Sequence, residues 1–196
     1  MVSVRINGEE ASLKTDTLHS MADVVELVKT TIDPEHMITN LFLNGKELMP
    51  NDWQANANQA GTMVLEVETG TPDAFIRERF GMAWQIVGTM YIEFRDARKN
   101  FQGGNMVAGN KKLINAVRTA KAFFDWYGAM LAIVPAERKS EYDITEQVGM
   151  MADICKRLCQ QQLYQSWWAI GETIEKELEP TLDKLEDRCR EFAVTQ

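Results

Sequence analysis

Few residues in this chain could do covalent or metal chemistry, and their spacing is poor for it. The two histidines, His19 and His36, both stand before residue 40. The long remainder has no imidazole to activate a serine or cysteine, and it cannot build the Glu-x-x-His pairs of a di-iron bundle. Cys155 and Cys159 are four apart and so share a helix face, with Cys189 further on. Three thiols without Cys-x-x-Cys spacing fall short of a zinc site, and they read as reduced core thiols. Gly104 to Lys112 resembles a phosphate-binding loop in having two glycines, Gly104 and Gly109. It lacks a Lys directly after the second glycine and the Ser/Thr that would hold magnesium, and it follows a helix instead of a strand. Glu175, Glu177 and Glu179 read as a solvated acidic face. The expectation is a protein that is no enzyme and has no catalytic residue, no cofactor and no metal.

The stronger signal is aromatic. Gln160 to Trp168 holds Tyr164, Trp167 and Trp168 among glutamines, inside a proline-free run from Glu141 to Glu179. Neighbours on a helix are about 100° apart, so Trp167 and Trp168 cannot both enter one core stripe. One fills the core; the other lies at a flank, covered by another element or open to a partner. Tryptophan suits such contacts because it buries a large area and keeps an N–H donor. Tyr164, Trp167, Trp168, Trp126, Phe42, Lys111 and Lys112 are therefore the candidate partner-binding residues.

The elements that position these residues change character along the chain. Residues 1–71 alternate with period two, as strands do. Val2, Val4 and Ile6 form a first strand, Asn7-Gly8 a hairpin turn, and Ala11 and Leu13 lie on the return strand. Ser20 or Asp23 caps a helix with Met21, Val24, Leu27, Val28 and Thr31 at helical spacing, and Asp33-Pro34 ends it. Leu41-Phe42-Leu43, the turn Asn44-Gly45 and Lys46-Glu47-Leu48 make a second hairpin. A polar loop from Pro50 to Gly61 carries Trp53, and Met63, Leu65 and Val67 alternate in a last strand.

This order, and the segment Leu41 to Leu48 above all, resembles the ubiquitin-like β-grasp fold. The resemblance covers about a third of the chain. Ubiquitin-type modifiers end in a free Gly-Gly carboxylate, whereas Gly70 here runs on into Thr71-Pro72. The implied role is docking or scaffolding instead of conjugation.

From Thr69-Gly70-Thr71-Pro72-Asp73 onward the period becomes helical. Helices are expected over about 72–101, 105–134, 140–179 and 180–194. Phe80, Trp84, Val87, Tyr91, Phe94, Arg98 and Phe101 follow heptad spacing in the first. Leu113, Val117, Ala120, Phe124, Tyr127, Leu131 and Val134 do so in the second, and Ile144, Val148, Met151, Cys155 and Leu158 in the third. The stripe then shifts to Leu163, Trp167, Ile170, Ile174 and Leu178. That slip falls on the Gln-Trp stretch and implies different neighbours on its two sides. A last stripe is Leu182, Leu185, Cys189 and Phe192.

The fold expected is α+β: a β-grasp module at 1–71, then an all-α long-helix bundle at 72–196. The chain has 196 residues, 45% of them apolar, which suffices for packed cores. Net charge is −8, which argues against nucleic acid as a partner. The charge is uneven: residues 1–71 carry four Lys/Arg against eleven Asp/Glu, and residues 75–121 carry nine against three. No apolar run approaches the length of a membrane span, and the first residues read as a strand instead of a secretory leader. Reduced thiols and the missing leader point to the cytoplasm, and a bacterial protein is the expectation. Eleven methionines suit an adaptable binding surface. The reading is an adaptor or chaperone-like protein that binds a protein partner through the bundle and the sheet face. The alternative is a structural subunit of a homo-oligomer assembled through heptad stripes.

Overall fold

The computed structural model describes residues 2–54 and 63–193. The chain divides into two compact units, Met1–Phe75 and Ile76–Gln196. The first is a mixed sheet with one helix, and the second is helical.

In the first unit β1 (Val2–Ile6), β2 (Glu9–Ala11), β3 (Met37–Leu43), β4 (Lys46–Glu47) and β5 (Met63–Gly70) form one sheet in the order β2-β1-β5-β3-β4. The central pair β1–β5 is parallel and the other pairs are antiparallel. The two hairpin turns are as expected: Asn7-Gly8 and Asn44-Gly45 all have positive φ, which Asn and Gly tolerate. Helix α1 (Met21–Lys29) starts at a capping box, Ser20 Oγ accepting from the Asp23 amide while the Asp23 carboxylate accepts from the Ser20 amide. Its Met21, Val24, Val25 and Val28 pack with Val2, Val4, Leu65 and Val67 of the sheet. Leu27 and Thr31, expected on the buried stripe, lie at its edge, half-buried and exposed. Trp53, in a short 3₁₀ turn, packs against the same core. The rest of that loop, from residue 55 to 62, lies outside the described residues.

The second unit contains α2 (Pro72–Gly81, whose first turn belongs to the other unit), α3 (Ala83–Gln102), α4 (Met106–Ile133), α5 (Thr145–Leu163), α6 (Trp167–Thr173) and α7 (Glu179–Glu191). The expected first helix is thus broken. Gly81 weakens it, and Met82 and Gln85 donate to carbonyls three residues back, tightening the chain into a 3₁₀ turn. Gly104, at φ +79°, ends α3, and Asn105 caps α4 by accepting from the Ala108 amide.

The expected 140–179 helix is also broken, at the Gln-Trp stretch. Gln165 takes φ +54°, its amide donates to Gln162 O, and Ser166 N donates to Gln161 O at 2.8 Å. These two bonds make a Schellman motif with glutamine where glycine is usual. A second irregularity follows: Ile174–Leu178 is a π-helical turn leading into α7. Ile170, Ile174, Leu178 and Leu182 are all fully buried at four-residue spacing. That spacing outruns an α-helical turn by about 40° each step, and the wider turn absorbs the drift. Pro180, which has no N–H to donate to the carbonyl four residues back, favours the same irregularity.

The buried stripes differ from those expected by one residue on alternate turns. In α3 they are Ala83, Val87, Met90, Phe94, Ala97 and Phe101. In α4 they are Gly109, Leu113, Ala116, Ala120, Phe123, Tyr127 and Met130. Small residues at Ala83, Ala97, Gly109 and Ala116 let the helices approach. A Cβ added at Gly109 would stand 2.7 Å from the Phe101 ring, so the second glycine of the loop-like segment serves packing. At one end Phe80 stacks on Tyr142 at 4.2 Å, with Trp126, Tyr127 and Phe192 around them. Tyr127 Oη donates to the Tyr142 carbonyl at 2.7 Å.

The positions expected as core but found at the edge of α3 meet α7 and the π turn instead. Arg190 lies over the Trp84 ring at 4.4 Å. Arg98 Nε donates to Glu179 Oε1 at 2.7 Å and Arg98 Nη1 to Glu175 Oε1 at 2.9 Å. Gln102 Nε2 donates to the other Glu175 oxygen at 3.0 Å. Glu179 is only 8% exposed, so it is not part of a solvated acidic face as the sequence suggested. The π turn brings it inward. Losing Arg98 strands this carboxylate. Arg98→Ala is expected to cost about 3 kcal/mol in urea unfolding, and Arg98→Met with Glu179→Leu to recover most of it. A loss for Arg98→Ala of only a few tenths, typical of an exposed pair, would contradict the assignment.

Candidate functional site

The Gln-rich end of α5 fastens three helices. Gln161 Nε2 donates to Thr173 Oγ1 in α6 at 2.8 Å, and Gln162 Nε2 donates to Asn110 Oδ1 in α4 at 3.2 Å. Trp167, first residue of α6, is half-buried and stacks on Phe101 at 5.9 Å with planes 7° apart. Trp168 is 66% exposed. The pair therefore splits as its 100° separation requires, with Trp167 the inner ring. Leu163 and Tyr164, on either side of the end of α5, are 82% and 81% exposed. The helix break thus presents a knuckle of Leu163, Tyr164 and Trp168 to solvent.

Beside this knuckle α4 and α5 diverge and leave a groove of about 240 Å³. Leu113 and Leu158 make its floor and are buried. Ile114 and Val117, each 46% exposed, form the α4 wall, and Cys155 and Cys159 the α5 wall. Arg118 and Gln162 stand at its rim. The open face of α4 continues to Val107, 84% exposed, and that of α5 runs from Val148 to Leu163. The groove is an exposed apolar patch, of a kind that a folded surface rarely leaves uncovered without use.

Two of the three thiols, Cys155 and Cys189, are poor nucleophiles. Burial, and then the neighbouring Cys159, push the Cys155 thiol up from its ordinary range. Cys189, on the buried face of α7, is pushed up to about 12 by burial. Thiolate is the reactive form, so Cys155 is protonated at neutral pH and behaves as an apolar group. Among the described residues no cluster of three or more His, Cys, Asp or Glu side chains could hold a metal ion. Nor is any described helix long and apolar enough to cross a membrane.

The other expected contact residues are dispersed. Trp126 is half-buried in the aromatic end cluster, packed on Phe80 and Phe123 at 5.8 Å each. It stands about 25 Å along α4 from Gly109, far from the knuckle. Lys111 is exposed on the open face of α4; Lys112 reaches Asp96 of α3 at 3.7 Å. Phe42 belongs to the first unit, on the sheet face away from α1. There it lies in a cross-strand row with Glu47, Glu66, Arg5 and Glu10. Of the groove's lining, Leu113, Val117, Cys155 and Leu158 were read as apolar stripe. Comparison with family models, curated proteins and solved structures returns no match.

The groove walls can be read by alkylation. Iodoacetamide at neutral pH is expected to modify exposed Cys159 first, Cys155 more slowly, and Cys189 only after unfolding. The Cys155 rate should rise with pH along a curve displaced upward from that of a free thiol. Peptide mapping over time tests this, and early labelling of Cys189 would contradict the packing of α7.

Proposed function

We propose that this chain is a non-catalytic interaction protein of adaptor or chaperone-like type, working in the cytoplasm. It binds a protein partner through the groove of its helical bundle and the outer face of a ubiquitin-like β-grasp module. The α4–α5 groove with its adjoining knuckle carries the reading: it is concave and apolar, and its Cys155 thiol is a poor nucleophile. For the β-grasp assignment, support comes from the order β2-β1-β5-β3-β4, the parallel central pair and the single helix between β2 and β3. The outer sheet row of Arg5, Glu66, Phe42 and Glu47 offers one aromatic among charges, suited to a polar contact.

A homo-oligomer is the second reading. Its support is the stripe of Val107, Ile114 and Val117 on α4, which no described helix covers. Light scattering over a range of concentrations separates the two, since the adaptor reading expects a monomer and a dimer favours the subunit.

For the adaptor reading, Ile114→Glu with Val117→Glu places charge on an exposed wall without touching the core. Proteins retained from lysate by the unmodified chain are expected to bind the variant at least about tenfold more weakly. Circular dichroism should be unchanged. An identical set of retained proteins would exclude the groove as the docking site.

A further inference from the structure

We propose that the α4–α5 groove receives an acidic amphipathic helix of a partner protein. This rests on the reading of the groove as a protein-docking site and adds the chemistry of the occupant.

The dimensions fit a helix. From Val107 to Lys121 the open face of α4 runs about 20 Å, and α5 offers a similar length from Val148 to Leu163. A helix of about four turns would lay one apolar stripe along this track. Its leucine-sized side chains would meet Leu113, Ile114 and Val117 on one side and Cys155, Leu158 and Cys159 on the other.

The rim charges set the sign of the partner. Helices α4 and α5 carry six cations between them: Lys111, Lys112, Arg118, Lys121, Lys156 and Arg157. Lys112 pairs with Asp96, Lys121 with Asp125, and Arg157 with Glu177. The other three, Lys111, Arg118 and Lys156, are exposed and have no carboxylate partner among the described residues. Two of these lie on the groove side of α4: Arg118 lines the groove, and Lys111 lies two turns before Arg118 on the same face. Lys156 follows Cys155 in sequence and is turned about 100° from it around α5. The one carboxylate on the open face of α4, Asp125, is already held by Lys121. In a chain of net charge −8, two unpaired cations along one side of an apolar groove complement Glu or Asp flanking an apolar helix stripe.

The test uses the full chain and two labelled peptides of about 16 residues. Both carry leucines at alternating three and four spacing; one has glutamates on the flanks and its twin has lysines. Fluorescence anisotropy is expected to show the acidic peptide binding at least about tenfold tighter than its twin, with affinity falling as salt rises. Lys111→Glu with Arg118→Glu should reverse the preference, and Ile114→Glu should weaken the acidic peptide. Equal binding of both peptides, weakened in both cases by Ile114→Glu, would overturn the acidic partner and leave protein docking standing. Binding of neither peptide overturns the acidic partner as well, and the lysate comparison then decides separately whether the groove docks protein at all. A dimer dispersed by Ile114→Glu would instead assign the groove to a second copy of the chain.

Discussion

Helix α3 has a polar edge that is largely covered from water, and the helical unit is arranged to meet it. Its apolar stripe packs on α4, while its other side is covered by α6, the π turn and α7. That second contact falls on Tyr91, Arg98 and Gln102, a row at seven and four spacing along one side. An arginine 15% exposed in its side chain requires carboxylates at fixed positions, and Glu175 and Glu179 supply them. A regular helix with Ile170, Ile174, Leu178 and Leu182 at four-residue intervals would turn these apolar groups progressively away from the core. The π turn holds the apolar side in register and aims both glutamates at Arg98.

The groove follows from that alignment. With α6 and α7 laid against α3, α5 folds back at Gln165 and packs on α6, the π turn and α7. Helix α4 lies on α3. The two outer helices are joined by the Gln162–Asn110 hydrogen bond at one end, and their remaining apolar side chains stand across an open channel. The helix break that exposes Leu163, Tyr164 and Trp168 is therefore the same event that opens the groove. Gln165 accepts a left-handed backbone, about 1–2 kcal/mol above the right-handed form for a residue with a Cβ, to make it.

Much of this was legible as pattern and little as placement. Period two and the Asn-Gly turns located β1, β4 and β5 closely, because both signals are local. The return strand β2 was expected about two residues late, and β3 only over its last three residues, Leu41 to Leu43. Helix spacing identified α4 within a residue at each end. It misjudged the buried stripe because large apolar residues were mostly preferred to small ones. Ala83, Ala97, Gly109 and Ala116 are the close contacts, while Val117, Phe124 and Leu131 lie at the margin. Periodicity records that a residue is apolar, and it is blind to whether a neighbouring helix arrives to cover it. The break at Gln165 carried no glycine or proline to announce it. Only the slip of the stripe across Gln160 to Trp168 marked that place, and a slip is satisfied equally by a kink, a bulge or a new helix.

The thiols decide what kind of site the groove is. Two cysteines one turn apart on a pocket wall would suggest redox or nucleophilic chemistry in another setting. Activation of a thiol requires a nearby cation, a helix N-terminus or a histidine to favour the thiolate. Here Cys155 lies in the interior of α5, and its largest influence is burial, which favours the neutral form. The chain has no histidine after His36. The rim cation Arg118 is exposed to water, where its influence on the half-buried sulfur is screened. A protonated thiol is a small, polarisable apolar group. Cys155 thus lines the channel much as an alanine or valine would, with more give, which favours contact with a hydrophobic surface over covalent chemistry.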